Sequence, residues 1–131
     1  MKLSARTAAL ALALLLGATF GVVAPAAYAH HSAAPFDFTK QVSVTGTVKS
    51  FEVLNPHSHI VLTVSDAKGR RDIDFEGHSA SNFYRAGWRK NSVKFGDRIT
   101  ITIAPRRDGA DGGFVMQFKD ASGKVVGFGR Q

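Results

Sequence analysis

Residues 98–105 read RITITIAP: Ile99, Ile101 and Ile103 alternate with Arg98, Thr100 and Thr102. A two-residue period puts the isoleucines on one face of an extended chain and the polar residues on the other. No helix buries such a pattern along one stripe. It requires a sheet with one dry face and one wet face.

The same period recurs. In QVSVTGTVKSFEVLN, Val42, Val44, Gly46 and Val48 alternate with polar residues, then the apolar positions change phase near Ser50 to Phe51 and Val53. A change of phase inside a strand predicts a bulge or bend, and Gly46 predicts a tightly coiled place. Asn55-Pro56 marks a turn. HIVLTVSD places Ile60, Leu62 and Val64 on one face, and RDIDFEG turns Ile73 and Phe75 inward against Asp72, Asp74 and Glu76. FVMQFKD puts Phe114, Met116 and Phe118 on one face, and VVGFG closes a short last strand. Only SASNFYRAGW changes period: Ser79 or Ser81 as N-cap, Phe83 and Ala86 three apart, and Gly87 as stop predict a helix of about two turns.

The predicted class is therefore all-β with one short helix, in the order β-β-β-α-β-β plus a short sixth strand. That order matches a small OB-like five- to six-stranded barrel, which needs a long bent first strand. A two-sheet sandwich fits the same pattern.

The first 29 residues stand outside this reading. Lys2 and Arg6 precede an uncharged run from Ala8 to Val23, and small residues at Ala27 and Ala29 have the A-x-A spacing of a cleavage site. That order predicts a secretory signal peptide over 1–29, an N-terminal arm over 30–40 and the barrel domain over 41–131. The expected home is the periplasm, with the membrane met only through the leader before cleavage. The chain has no cysteine, so disulfides and thiolate metal sites are excluded. The whole chain carries +7; without Lys2 and Arg6 it has 15 basic and 10 acidic residues, 15 − 10 = +5. This surplus fits a soluble surface or an anionic partner. Export argues against nucleic acid, and no nucleic acid is expected as a partner.

Cleavage after Ala29 would make His30-His31 the first two mature residues. His30 would then offer an α-amine and an imidazole from one residue, and a second imidazole completes a three-nitrogen site. Nitrogen donors in a tetragonal layout suit Cu(II). His57 and His59, at i and i+2, are expected to share one strand face and to serve as further metal ligands. Asp37 could orient a histidine ring or make an Asx turn. His78 is expected to be a loop residue before the helix. Asp72, Asp74 and Glu76 are expected to form a solvated face paired with Arg70, Arg71 or Arg98. Trp88 and Tyr84 could stack on a sugar or base, but Trp88, beside Gly87, is expected to plug the barrel end. Catalysis finds no support: G-x-S-x-G is absent, and GADGG precedes a strand rather than a helix.

The ordered set HHSAAPFDF, VTGTV, NPH, FE, AGW, FGD and PRRDG resembles a family of small exported bacterial proteins known only as a domain of unknown function. The resemblance runs from about His30 to Phe128, with His59 and His78 departing from the family's pattern. It implies a periplasmic home and a small β-rich fold, and no activity. The expected function is transition-metal binding, with copper as the metal, through His30, His31, His57 and His59. The alternative is a non-enzymatic binding or scaffold module for a glycan, an anionic ligand or an envelope protein. A histidine-brace oxidoreductase is the third reading.

Overall fold

The computed structural model describes residues 34–128. The predicted leader, the first residues of the arm and the last three residues lie outside them.

Six strands and one helix follow in the expected order: β1 Val42–Glu52, β2 Ser58–Asp66, β3 Gly69–Gly77, α1 Ala80–Arg85, β4 Arg98–Pro105, β5 Gly113–Lys119 and β6 Val125–Gly127. β1 is shared between two neighbours. Val42–Thr47 pairs antiparallel with β4, and Thr47–Glu52 pairs antiparallel with β2. β2 pairs with β3 and β4 with β5. A parallel contact, Glu76 opposite Phe114, then joins β3 to β5 and closes the circuit 1-2-3-5-4-1. This is an OB-type barrel, with β6 added antiparallel to β5. Closure through β3 and β5 decides against two separate sheets.

The local chemistry explains how one strand serves two partners. The register of β1 against β2 slips between Val48 and Ser50, which is the bulge that the phase change in the sequence predicts. Gly46 lies where β1 changes partner, and a Cβ there would stand 2.9 Å from both the Leu62 Cβ and the Thr63 carbonyl oxygen. The backbone oxygen cannot yield without moving β2. Gly46→Ala is expected to cost about 1–3 kcal/mol as an overpacked site; urea unfolding with an unchanged slope checks it, and an unaltered midpoint contradicts it.

The interior is apolar. Val48, Ile60, Leu62, Phe75, Ile99, Ile101, Val115 and Phe118 are all almost fully buried. The expectation that Phe114, Met116 and Phe118 share one face is corrected. The β4–β5 register slips between Thr102 and Ile103, so Met116 faces no partner and the alternation inverts across it. Val115 and Phe118 enter the main core, while Phe114 joins Phe36 and Ala104 in a second cluster with Met116 against it.

The helix plugs one barrel end. Phe83 is fully buried and meets Phe51, Trp88, Phe118 and Phe128 at centroid distances of 5.9, 6.2, 6.2 and 4.6 Å. Trp88 is buried and lies parallel to Phe51. Ser79 holds the N-cap position in extended backbone, but its side chain makes no cap bond. The amide of Ala80 is met instead by the Leu54 carbonyl at 2.9 Å and by Asn55 Oδ1 at 3.1 Å. The β1–β2 turn thus caps the helix, and this places the site described next.

Candidate functional site

One rim of the barrel gathers histidines, carboxylates and aromatic rings. Ser58 organises it. Its buried hydroxyl donates to the His78 carbonyl at 2.7 Å, and its amide donates to the same oxygen at 3.1 Å. The amide of Leu54 donates to the Ser58 hydroxyl at 3.2 Å. The β1–β2 turn, which carries His57, is therefore tied to the β3–α1 connection, which carries His78.

His57 and His59 each meet a different carboxylate. His57 precedes β2 and its Nδ1 lies 3.0 Å from Glu76 Oε1. His59, on the outer face of β2, places Nδ1 3.1 Å from Asp74 Oδ2. Each imidazole has its own carboxylate. For His59, whose Nδ1 lies within hydrogen-bond distance of both Asp74 oxygens, that arrangement favours Nε2 as the nitrogen through which it would ligate. The carboxylate face is solvated as expected; Arg70 acts on Asp72 only at longer range, and the direct partners are different residues. Asp72 takes Lys49 and the Thr63 hydroxyl, Asp74 takes His59, and Glu76 takes His57. Arg71 faces the other way and joins Asp66 to Asp111. The strand pleat is the reason: Arg71 is odd-numbered on β3, and the three acids are even-numbered.

His78 is the residue whose environment sequence reasoning missed. It lies in the connection before the helix, as expected, yet is only 5% exposed. Its ring packs edge-on to Phe114 at 4.8 Å and tilted to Phe128 at 4.5 Å. Burial, and then the nearby His57 ring, hold its pKa below the ordinary 6.5. The folded chain therefore resists a proton that the unfolded chain accepts. Its contribution to stability is complete above about pH 6.5 and is lost as pH falls below that value. Metal-free protein in chelator is expected to lose midpoint stability between pH 7 and pH 5, with a shallower slope for His78→Gln. Equal slopes would contradict the assignment.

Asp37 makes the Asx turn. Its Oδ1 accepts from the Thr39 amide at 3.1 Å and the Thr39 hydroxyl at 2.6 Å, and Lys40 lies 3.2 Å from Oδ2. Thr39 and Lys40 hold its pKa down to about 2. Among the described residues its partners are these and the more distant Arg107, not an imidazole.

The arm is pinned beside the rim. Phe36 is buried and bridges to Arg106, while the Asp37 amide donates to the Pro105 carbonyl and the Arg107 amide to the Pro35 carbonyl, both at 2.8 Å. Phe36 meets Phe114 at 5.6 Å, and Phe114 meets His57 at 6.5 Å as well as His78. Phe114 is thus the common floor under the arm and both histidines. His30 and His31 lie outside the described residues. Among the described residues, no three His, Asp or Glu side chains converge to hold a metal ion.

Residues 19–116 match the model of a family of unknown function, DUF6152. No curated protein matches the chain. Among solved structures, the mitochondrial single-stranded DNA binding protein Rim1 of S. cerevisiae is similar, at 10% identity and a TM-score of 0.43, over 69% of this chain and 97% of that one. The expectation of no nucleic-acid partner is corrected and not retained: that protein is named for binding single-stranded DNA.

Proposed function

The chain belongs to the family of unknown function DUF6152, and we propose that it works as an exported Cu(II)-binding protein of the periplasm. Cleavage after Ala29 would free the α-amine of His30. The amine and imidazole of His30 and the imidazole of His31 form the primary nitrogen set. His57, oriented by Glu76, is a further donor, and His59 is a second, more exposed candidate on the same rim. Nitrogen donors of this kind favour Cu(II) among the first-row divalent ions.

One observation carries the reading: the arm is anchored by Phe36 on the same Phe114 ring that underlies His57 and His78. Four residues lie between His31 and Phe36, five residue steps with a reach of about 18 Å at most. A reach of that length would let the N-terminal nitrogens of the processed chain approach His57.

The test is electron paramagnetic resonance of the processed protein loaded with one equivalent of Cu(II). A tetragonal signal with nitrogen hyperfine structure is expected, and His57→Ala is expected to remove one nitrogen from the pattern. A spectrum of aqueous copper would overturn the proposal. An unchanged pattern in His57→Ala would confine the site to the N-terminus.

A further inference from the structure

At the other side of the helix, the charge pattern changes. On β1 and β3, Lys49 is matched by Asp72 and Arg71 by Asp66 and Asp111. From Tyr84 to Arg98 there are five cations, Arg85, Arg89, Lys90, Lys94 and Arg98, and one acid, Asp97. All five are exposed. None takes part in an ion pair among the described residues. Asp97 spends one carboxylate oxygen on the Lys94 amide at 2.9 Å. Arg89 donates to the Tyr84 and Trp88 carbonyls, which uses its hydrogens but leaves its charge. Lys124, reaching the Gly87 carbonyl at 3.2 Å, adds a sixth cation to this end.

In the middle of this basic segment stands Phe95, 82% exposed. Its exposure is built in. Lys94–Asp97 is a β-turn closed by the Asp97 amide on the Lys94 carbonyl at 3.1 Å, with Gly96 at φ 87° in its third position. That is type II geometry, and Phe95 occupies the second position at the corner. Two further bonds, Gly96 amide to Val48 carbonyl and Val48 amide to Asp97 carbonyl, each 2.8 Å, clamp the turn to β1. Val93, one residue before the turn, is buried. These bonds hold the backbone of the corner in place against β1. Tyr84, 49% exposed, gives a second aromatic on the same segment.

We propose that this turn is a docking tip for a bilayer rich in anionic phospholipid, with Phe95 entering the acyl boundary and the surrounding lysines and arginines engaging headgroup phosphates. A single apolar ring on a rigid corner, in a segment that carries five exposed cations and one acid, suits an interface with oil below and anions above, because long basic side chains can bury their stems and keep their charges wet. The cations supply attraction to an anionic leaflet, and the effect falls with salt. Phe95 also borders a groove with Lys49, Arg70 and Arg71, so a single-stranded nucleic acid is the other anionic partner, and the test below separates the two.

The test is co-sedimentation with vesicles of phosphatidylglycerol and phosphatidylethanolamine, against vesicles of phosphatidylcholine alone. The uncharged run Ala8–Val23 would itself bind lipid, so protein is taken from the export compartment and its mass is measured first. Binding to the anionic vesicles at low salt is expected, with little to phosphatidylcholine. Phe95→Ser is expected to weaken it about tenfold, and Lys90→Glu with Lys94→Glu to weaken it more than tenfold. Both variants change exposed side chains, so their melting temperatures should match the parent's. Failure of the parent to bind anionic vesicles, or equal binding by parent and variants, overturns the proposal. So does a loss confined to retention of a single-stranded oligonucleotide while vesicle binding is unchanged.

Discussion

Phe83→Ala is expected to destabilise the protein by about 3–5 kcal/mol, the range for removing a buried aromatic ring. The ring is fully buried and contacts four other aromatic side chains across the barrel end. The helix that carries it has six residues, too few to persist without tertiary contacts. Loss of the ring therefore removes both a core layer and the anchor of the helix. A domain of this size has only about 5–15 kcal/mol in total, and there is no cysteine to add a disulfide. At about 4–8 °C per kcal/mol, the melting temperature should fall by at least about 12 °C. Tyr84→Ala, one residue along and half exposed, should shift it far less. Circular dichroism melts of the two variants separate a plug from a decoration, and equal shifts would contradict the packing described.

The second large effect concerns the amine of His30. A processed chain that begins with three added residues, Ser-Gly-Ser before His30, is expected to bind Cu(II) at least about 100-fold more weakly, a loss of about 2.7 kcal/mol. The added peptide bond converts the amine into an amide and breaks the chelate that the amine makes with its own imidazole. Three residues are needed. One added residue would place His31 third, where an amine and backbone amides chelate Cu(II) by themselves. Isothermal titration against a competing chelator gives the comparison. Equal affinity for the two chains would show that the amine is not a ligand.

The barrel was legible because its evidence is local. The alternation in RITITIAP fixes β4 at Arg98–Pro105, and the phase change after Val48 marks the bulge that lets β1 serve two neighbours. The turn glycines and the single change of period located the helix. Errors entered where one residue inverts a pattern. The slip at Met116 sent Phe114 away from Phe118, and nothing in FVMQFKD distinguishes that strand from a regular one.

The rim was legible in its residues and not in their partners. His57, His59, Asp74 and Glu76 were all singled out, but the pairing of each ring with its own carboxylate depends on the β2–β3 register, in which His59 faces Glu76 and Val61 faces Asp74. His78 was the harder case. Its burial comes from Phe114 and Phe128, residues 36 and 50 positions later in the chain, which no local pattern connects to it. Asp37 was weighed between two roles, and Thr39, two residues on, was the signal for the turn it makes.

The most direct test of the central proposal is native mass spectrometry of the protein recovered from the export compartment of copper-supplied cells. The proposal predicts a chain with the mass of residues 30–131 carrying one copper ion, which survives transfer into dilute competing chelator. A chain of that mass without copper, or a chain that begins elsewhere and binds copper equally well, would contradict it.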